Sequence, residues 1–189
     1  MLLINNMPLP SNIYNRVAFV GKMGAGKSHT AKWLRDTYDF KIFSFADGLK
    51  QAAQEYYDMD PSKKDRCLLQ TLGDAMRSVD RDVFAKRCVR EITQCEAENG
   101  RIGIIIDDLR FENELRALRE MPGQRWLIIK IKAHPVVHFV DSPPKETSVT
   151  DHASEHQWTH FKFDYEIESG DTSNLAEILR EAAHPCSIA

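Results

Sequence analysis

The stretch "VGKMGAGKSHT", Val20 to Thr30, decides how the rest of this chain is read. It fits G-x-x-x-x-G-K-[ST], with Gly21, Gly26, Lys27 and Ser28 at the fixed positions. An apolar run, "RVAFV", precedes it, and "TAKWLRDTY" continues it with helical spacing. A strand that ends in a glycine-rich turn and opens a helix aims its backbone N–H groups, here those of Gly24 to His29, into one concavity. Unpaired amides and the positive end of the helix dipole make such a concavity an anion site. Lys27, expected as a solvent-facing cation, suits the β- and γ-phosphates of a nucleotide, and the Ser28 hydroxyl suits the Mg²⁺ that bridges them. Gly21, Met23, Gly24, Ala25, Gly26, Lys27, Ser28 and His29 are the expected nucleotide contacts.

The whole chain is compatible with a small, charged ligand. Its 189 residues suit one domain, 1–189, with a core on both faces of a sheet. Apolar content of 42% and charged content of 28% are ordinary for a globular protein. A net charge of −3 weighs against a surface built for a long polyanion. Cys67, Cys88, Cys95 and Cys186 form no C-x-x-C pair, so neither a zinc ribbon nor a redox motif is indicated. With no secretory signal and no long apolar stretch, a cytoplasmic protein with reduced thiols and no membrane partner is expected.

From the phosphate loop outward, strands and helices alternate. Strand 1 is expected at Arg16 to Val20 and a helix at Lys27 to Tyr38. "KIFSFA" reads as a second strand, "DGLKQAAQEYY" as a helix, and "PSKKD" as a turn. "RCLLQTLGDAMRSV" and "DVFAKRCVREITQCEAE" read as helices, with Asp80 or Asp82 as N-cap of the second and Asn99-Gly100 ending it. The continuous apolar run "IGIIID" suits a central strand of a parallel sheet. "ENELRALREM" is a helix, "RWLIIKIK" and "DYEIES" are strands, and "NLAEILREAA" is the closing helix. This is the pattern of a three-layer, doubly wound, mostly parallel α/β fold, with a helical insertion at about 60–98. Residues 133–157, with adjacent prolines and no periodicity, read as a lid.

Ligands of such sheets sit at the carboxyl ends of the strands. There, Asp107 and Asp108 close the central strand, where carboxylates complete a Mg²⁺ environment. Arg66, Gln70 and Arg77 share one helix stripe. Arginine forks suit a phosphate dianion, and Gln70 suits a base edge. Arg110 is the cation best suited to a transferring phosphoryl group. Lys132, Lys145 and the lid histidines are weaker candidates. His152, His156 and His160 recur every four residues but lack nearby cysteines, and surface histidines are expected.

Taken together and in order, "GKMGAGKS", "FADGLK", "LLQTLGDAMR", "DLRFENE" and "HASE" resemble the phage-type deoxynucleoside monophosphate kinase family, among the P-loop kinases. The resemblance spans about residues 16–180. It implies transfer from ATP, with Mg²⁺, to a deoxynucleoside monophosphate. Lys27, Asp47, Asp108 and Arg110 would be catalytic, with Ser28 and Asp108 on the metal. Asp47, Lys50, Arg66, Gln70, Arg77 and Glu155 would bind the acceptor, Glu155 coming from the H-x-S-E element. Asp47 and Lys50, three apart on a first helical turn, also share a face on spacing alone. The absence of arginine between Arg125 and Arg180 departs from lids that supply arginines.

Two other readings remain open from the sequence. One keeps the fold but phosphorylates a hydroxyl, on 5-hydroxymethyluracil in phage DNA or on dephospho-CoA. The other is a nucleotide-binding switch without an acceptor, against which stands the lack of an N-K-x-D guanine-reading motif. A homodimer is compatible with every reading, and a phage-encoded chain would act in the host cytoplasm.

Overall fold

The computed structural model describes residues 9–63, 65–133 and 157–184. Five strands form one parallel sheet in the order β2-β3-β1-β4-β5: β1 (Arg16–Val20), β2 (Lys41–Phe43), β3 (Ile104–Ile106), β4 (Leu127–Lys132) and β5 (Tyr165–Glu168). Six helices accompany them among the described residues: α1 (Lys27–Tyr38), α2 (Asp47–Tyr57), α3 (Arg66–Val79), α4 (Val83–Asn99), α5 (Glu112–Glu120) and α6 (Thr172–Ala183).

Side-chain alternation divides the core into two layers. Val17 and Phe19 of β1, with Ile105, Leu127, Ile129 and Ile131, pack against Ala31 and Leu34 of α1 and Leu175, Ile178 and Leu179 of α6. Ala18, Val20, Ile104, Ile106 and Ile128 point the other way, to Leu49 of α2, Phe84, Cys88 and Ile92 of α4, and Leu115 and Leu118 of α5. Both faces are covered, which is why the strands read as unbroken apolar runs. The connection from β1 to β2 runs one way along the sheet, and those from β2 to β3 and β3 to β4 run the other way. Right-handed crossovers then demand helices on opposite faces, as observed. β1 and β3 are neighbours whose following segments depart to opposite faces, leaving a crevice at their carboxyl ends.

Three local features differ from the sequence expectation. β2 ends at Phe43, because the Ser44 hydroxyl and the Phe45 and Ala46 amides turn to donate to Asp108. α4 has Asp82 at its N-cap position, but that carboxylate makes no cap; it accepts from Asn113 Nδ2 at 3.0 Å and Arg116 at 3.1 Å. β3 is confined to Ile104–Ile106, although Gly103 O still accepts from Lys41 N of β2 at 2.8 Å; a Cβ at Gly103 would come within 2.6 Å of the Phe40 ring. The helical insertion is present as α3 and α4. The lid expected at 133–157 lies, but for its two end residues, outside the described residues.

Candidate active site

The glycine loop after β1 is shaped by positions that only glycine fills without strain. Gly21 (φ 147°) sits under Ile131, whose carbonyl oxygen would be 2.4 Å from a Cβ; Gly26 (φ 90°) faces Ser169 Oγ at 1.9 Å by the same measure. Lys27 is buried, at 7% exposure, where a solvent-facing cation had been expected. Its ammonium donates to the carbonyls of Gly21 (2.7 Å) and Lys22 (2.9 Å), folding the side chain back across the loop. The Ala25 amide is bonded to Lys22 O at 3.1 Å and so drops out of the expected row of anion-facing N–H groups. The amides of Lys27, Ser28 and His29 open α1, where a helix has no internal carbonyl to offer them.

The two acids after β3 have separate surroundings. Asp107 Oδ2 accepts from Ser28 Oγ at 2.8 Å. Burial, then the neighbouring Asp108 charge, raise the Asp107 pKa against the lowering effect of that hydrogen bond. Asp108 instead accepts from Ser44 Oγ (2.5 Å), Phe45 N (2.9 Å) and Ala46 N (3.0 Å), tying the end of β3 to the turn before α2. Of the pair, Asp107 is the one beside the phosphate-loop serine.

Across the crevice, Lys50 donates to Asp47 at 2.7 Å. Burial alone would lower the Lys50 pKa, but the bond to Asp47 and the charges of Asp47, Asp108 and Asp107 outweigh it and hold it above the ordinary value. The Arg77 guanidinium lies 4.4 Å from the Phe111 ring centre and 5.2 Å from that of Phe84, with Nη1 on Asp74 at 2.9 Å. Stacking on two rings fixes the plane of this cation.

These groups enclose one chamber of about 540 Å³. Met23, Gly24, Ala25, Gly26, Lys27, Ser28 and His29 of the loop line it together with Lys50, Arg66, Gln70, Arg77, Asp107, Asp108 and Arg110. Gly21 lies under the loop and Asp47 behind Lys50, neither on the wall. Glu155, Asp151, Ser154, Lys145, His152 and His156 lie outside the described residues. His160 ends a short 3₁₀ turn, Gln157–His160, and no cluster of three metal-ligating side chains occurs among the described residues. Lys132 is paired with Glu166 at 2.6 Å, away from the chamber wall.

The structure adds wall residues to which the sequence reading gave no role: Ser44, Leu49, Leu69, Phe84, Phe111 and Glu114. A signal for Glu114 was present, since an acid three residues into a helix closes back on the N-cap amide. Its carboxylate accepts from Phe111 N at 3.0 Å and Arg110 N at 2.9 Å.

No family model matches the chain. Over 115 residues it is 28% identical to an uncharacterised protein, ORF77, of Ictalurid herpesvirus 1 (strain Auburn), covering 60% of this chain. The chain spans about half the length of that curated relative, 50%. Among solved structures it is similar to a gluconokinase from Sinorhizobium meliloti 1021, at 13% identity, with 94% of this chain and 91% of that chain covered and a TM-score of 0.39. No helix among the described residues is long and apolar enough to cross a membrane.

Proposed function

We propose that this chain is a P-loop phosphotransferase that uses ATP and Mg²⁺ to convert a deoxynucleoside monophosphate to the diphosphate. The observation that carries this is that the phosphate loop and Lys50, Arg66, Gln70, Arg77 and Arg110 line one and the same chamber. A switch has no use for the second set. The family resemblance of "FADGLK" and "DLRFENE" supports the choice of acceptor.

Ser28 Oγ and the Asp107 carboxylate are hard oxygen donors on two elements, which suits Mg²⁺, an ion that takes few protein oxygens and keeps several waters. Mg²⁺ there would neutralise charge on the bridging phosphates. The α1 amides cradle phosphate oxygens, and Lys27 exchanges its two loop carbonyls for them. Asp108 braces the turn that carries Asp47 and Lys50. Arg77 and Arg66 bind the acceptor dianion, Gln70 addresses the base, and Arg110 stands by the group in transfer.

A monophosphate is mostly dianionic at neutral pH and needs no strong base to attack. The Asp47 carboxylate is taken up by the Lys50 ammonium at 2.7 Å, which favours a phosphate over a hydroxyl acceptor. The test is ATP-dependent phosphorylation of the four dNMPs, the four NMPs, dephospho-CoA and hydroxymethylated DNA. Transfer to one or more dNMPs is expected. Transfer confined to dephospho-CoA or DNA would replace this assignment with a hydroxyl kinase, and ATP turnover indifferent to every acceptor would leave a switch.

A further inference from the structure

One wall residue of the chamber is a carboxyl group with no counter-ion bonded to it among the described residues. Glu114 is 4% exposed and lines the chamber beside Arg110 and Phe111. Both of its hydrogen bonds, from Arg110 N and Phe111 N, fall on the same oxygen, Oε2. Oε1 has no hydrogen-bond partner among the described residues. Oε1 is not one of the side-chain atoms shut off from solvent without a partner, which among the described residues are Asn15 Oδ1, Trp126 Nε1 and Trp158 Nε1, so it is open to whatever enters the chamber.

We infer that Glu114 is an acceptor-binding residue: as a neutral carboxylic acid it keeps Oε2 on the two amides and donates the O–H of Oε1 to an oxygen of the bound acceptor, on its phosphate or its base. This rests on the acceptor assignment made above. The surroundings favour the neutral form. Burial, then the charge of Asp108 at the end of β3, push the Glu114 acid up to about 8, against the two amides and Arg77 of α3. From α4 it faces Cys88, a thiol that burial holds protonated, and within its own turn it meets Arg110 through the backbone. A carboxylate here would repel a dianion already close to Asp107 and Asp108; the acid adds a donor without adding charge.

The consequence is an alkaline limb in acceptor binding. Where only the protonated form binds, the apparent Kd scales inversely with its population, so affinity falls about tenfold between pH 7 and pH 9. The acceptor's own phosphate is already mostly dianionic at pH 7, and its remaining titration there gives no alkaline limb. Glu114→Gln removes the titration while keeping both halves of the contact, a carbonyl for the amides and an N–H for the ligand.

The experiment is calorimetric titration of wild type, Glu114→Gln and Glu114→Ala with each dNMP from pH 7 to pH 9.5, alongside thermal melts and the protonated-carboxyl infrared band of the ligand-free protein. Expected are a weakening wild-type Kd above pH 8, a flat profile near the wild-type neutral value for Glu114→Gln, and weaker binding at every pH for Glu114→Ala. A wild-type Kd that is flat to pH 9.5, or a Glu114→Gln profile that keeps the limb, overturns the inference and leaves the acceptor assignment standing. Failure of every dNMP to bind at any pH overturns both. If Glu114→Gln does not fold, Glu114→Ala decides the matter: loss of the limb and of the infrared band in that variant supports the inference, and their persistence overturns it.

Discussion

Two adjacent aspartates at the end of β3 have different jobs, and substitution separates them. Asp107 is bonded to the phosphate-loop serine, whereas Asp108 receives three hydrogen bonds from residues 44–46. Asp107→Asn is expected to leave the melting temperature within a few degrees of wild type and to reduce Mg²⁺-dependent transfer by two orders of magnitude or more, roughly the loss seen when a fixed transition-state contact goes. Asp108→Ala strands three part-buried donors and should cost roughly 2 kcal/mol of stability, read from denaturant unfolding. Equal effects of the two on stability would mean that the pair acts as one unit. Lys27→Ala is expected to do both things at once. Its ammonium holds two loop carbonyls, at 2.7 and 2.9 Å, so its removal should loosen the loop by about 1 kcal/mol as well as abolish most transfer. The first effect comes from its burial, which the motif alone does not reveal: G-x-x-x-x-G-K-[ST] says which residue meets phosphate and nothing of where it rests without one.

At the scale of elements, α3 carries the prediction. Arg66, Gln70 and Arg77 all reach the chamber from this helix, and Gly73 between them clears the space that Arg77 lies across, a Cβ there falling 3.2 Å from its guanidinium. Arg77→Ala should raise the acceptor KM tenfold or more and leave the ATP KM nearly unchanged, because a contact made equally in ground and transition states appears in KM. Arg77→Lys should rescue little, since two rings and Asp74 hold a planar fork that an ammonium lacks. A rise confined to the ATP KM would move Arg77 to the donor side. The helices themselves were legible in the sequence. α1, α2 and α3 begin where local chemistry says they must, after Gly26, at Asp47, and after Asp65, whose carboxylate accepts from Leu68 N at 2.9 Å. β2 was overrun because "KIFSFA" continues the apolar run, while its last three residues answer to an aspartate about sixty positions away. Asp82 failed as a cap for the same reason, its carboxylate being drawn to Asn113 and Arg116. The chamber was half legible: motif residues announce themselves by type and spacing, but Leu49, Leu69, Phe84 and Phe111 become walls only through the crossing of four helices at a crevice.

The molecule as a whole has a pH dependence of stability set by which of its shifted acids are buried. Asp36, Asp60, Asp80 and Glu166 are held below the usual carboxylate range by hydrogen bonds from Arg35, from Ser62, from Lys86, and from Lys130 and Lys132, all at the surface. Exposed pairs of this kind contribute little once solvent and salt screen them. Glu114 and Asp107 are shifted the other way, chiefly by burial. For Glu114 the ordinary value is 4.5 and the folded value about 8, so between those limits the folded chain binds one more proton than the unfolded chain. Stability from this group is therefore complete below pH 4.5, falls as pH rises through 8, and is level beyond, at about 1 kcal/mol per pH unit within the window. Urea unfolding of the ligand-free protein from pH 5 to pH 9 should give a midpoint that declines toward alkaline pH, where carboxylates paired at the surface alone would leave it level, their titration lying below that range. Glu114→Gln should flatten most of that decline and be the more stable protein at pH 8.5, since an amide never ionises in the site. An unchanged slope in Glu114→Gln would assign the decline to Asp107, and Asp107→Asn would then flatten it. A midpoint that stays level from pH 5 to pH 9 in wild type would mean that both carboxyls are ionised in the folded chain at neutral pH, with Arg77 and Lys50 offsetting their burial.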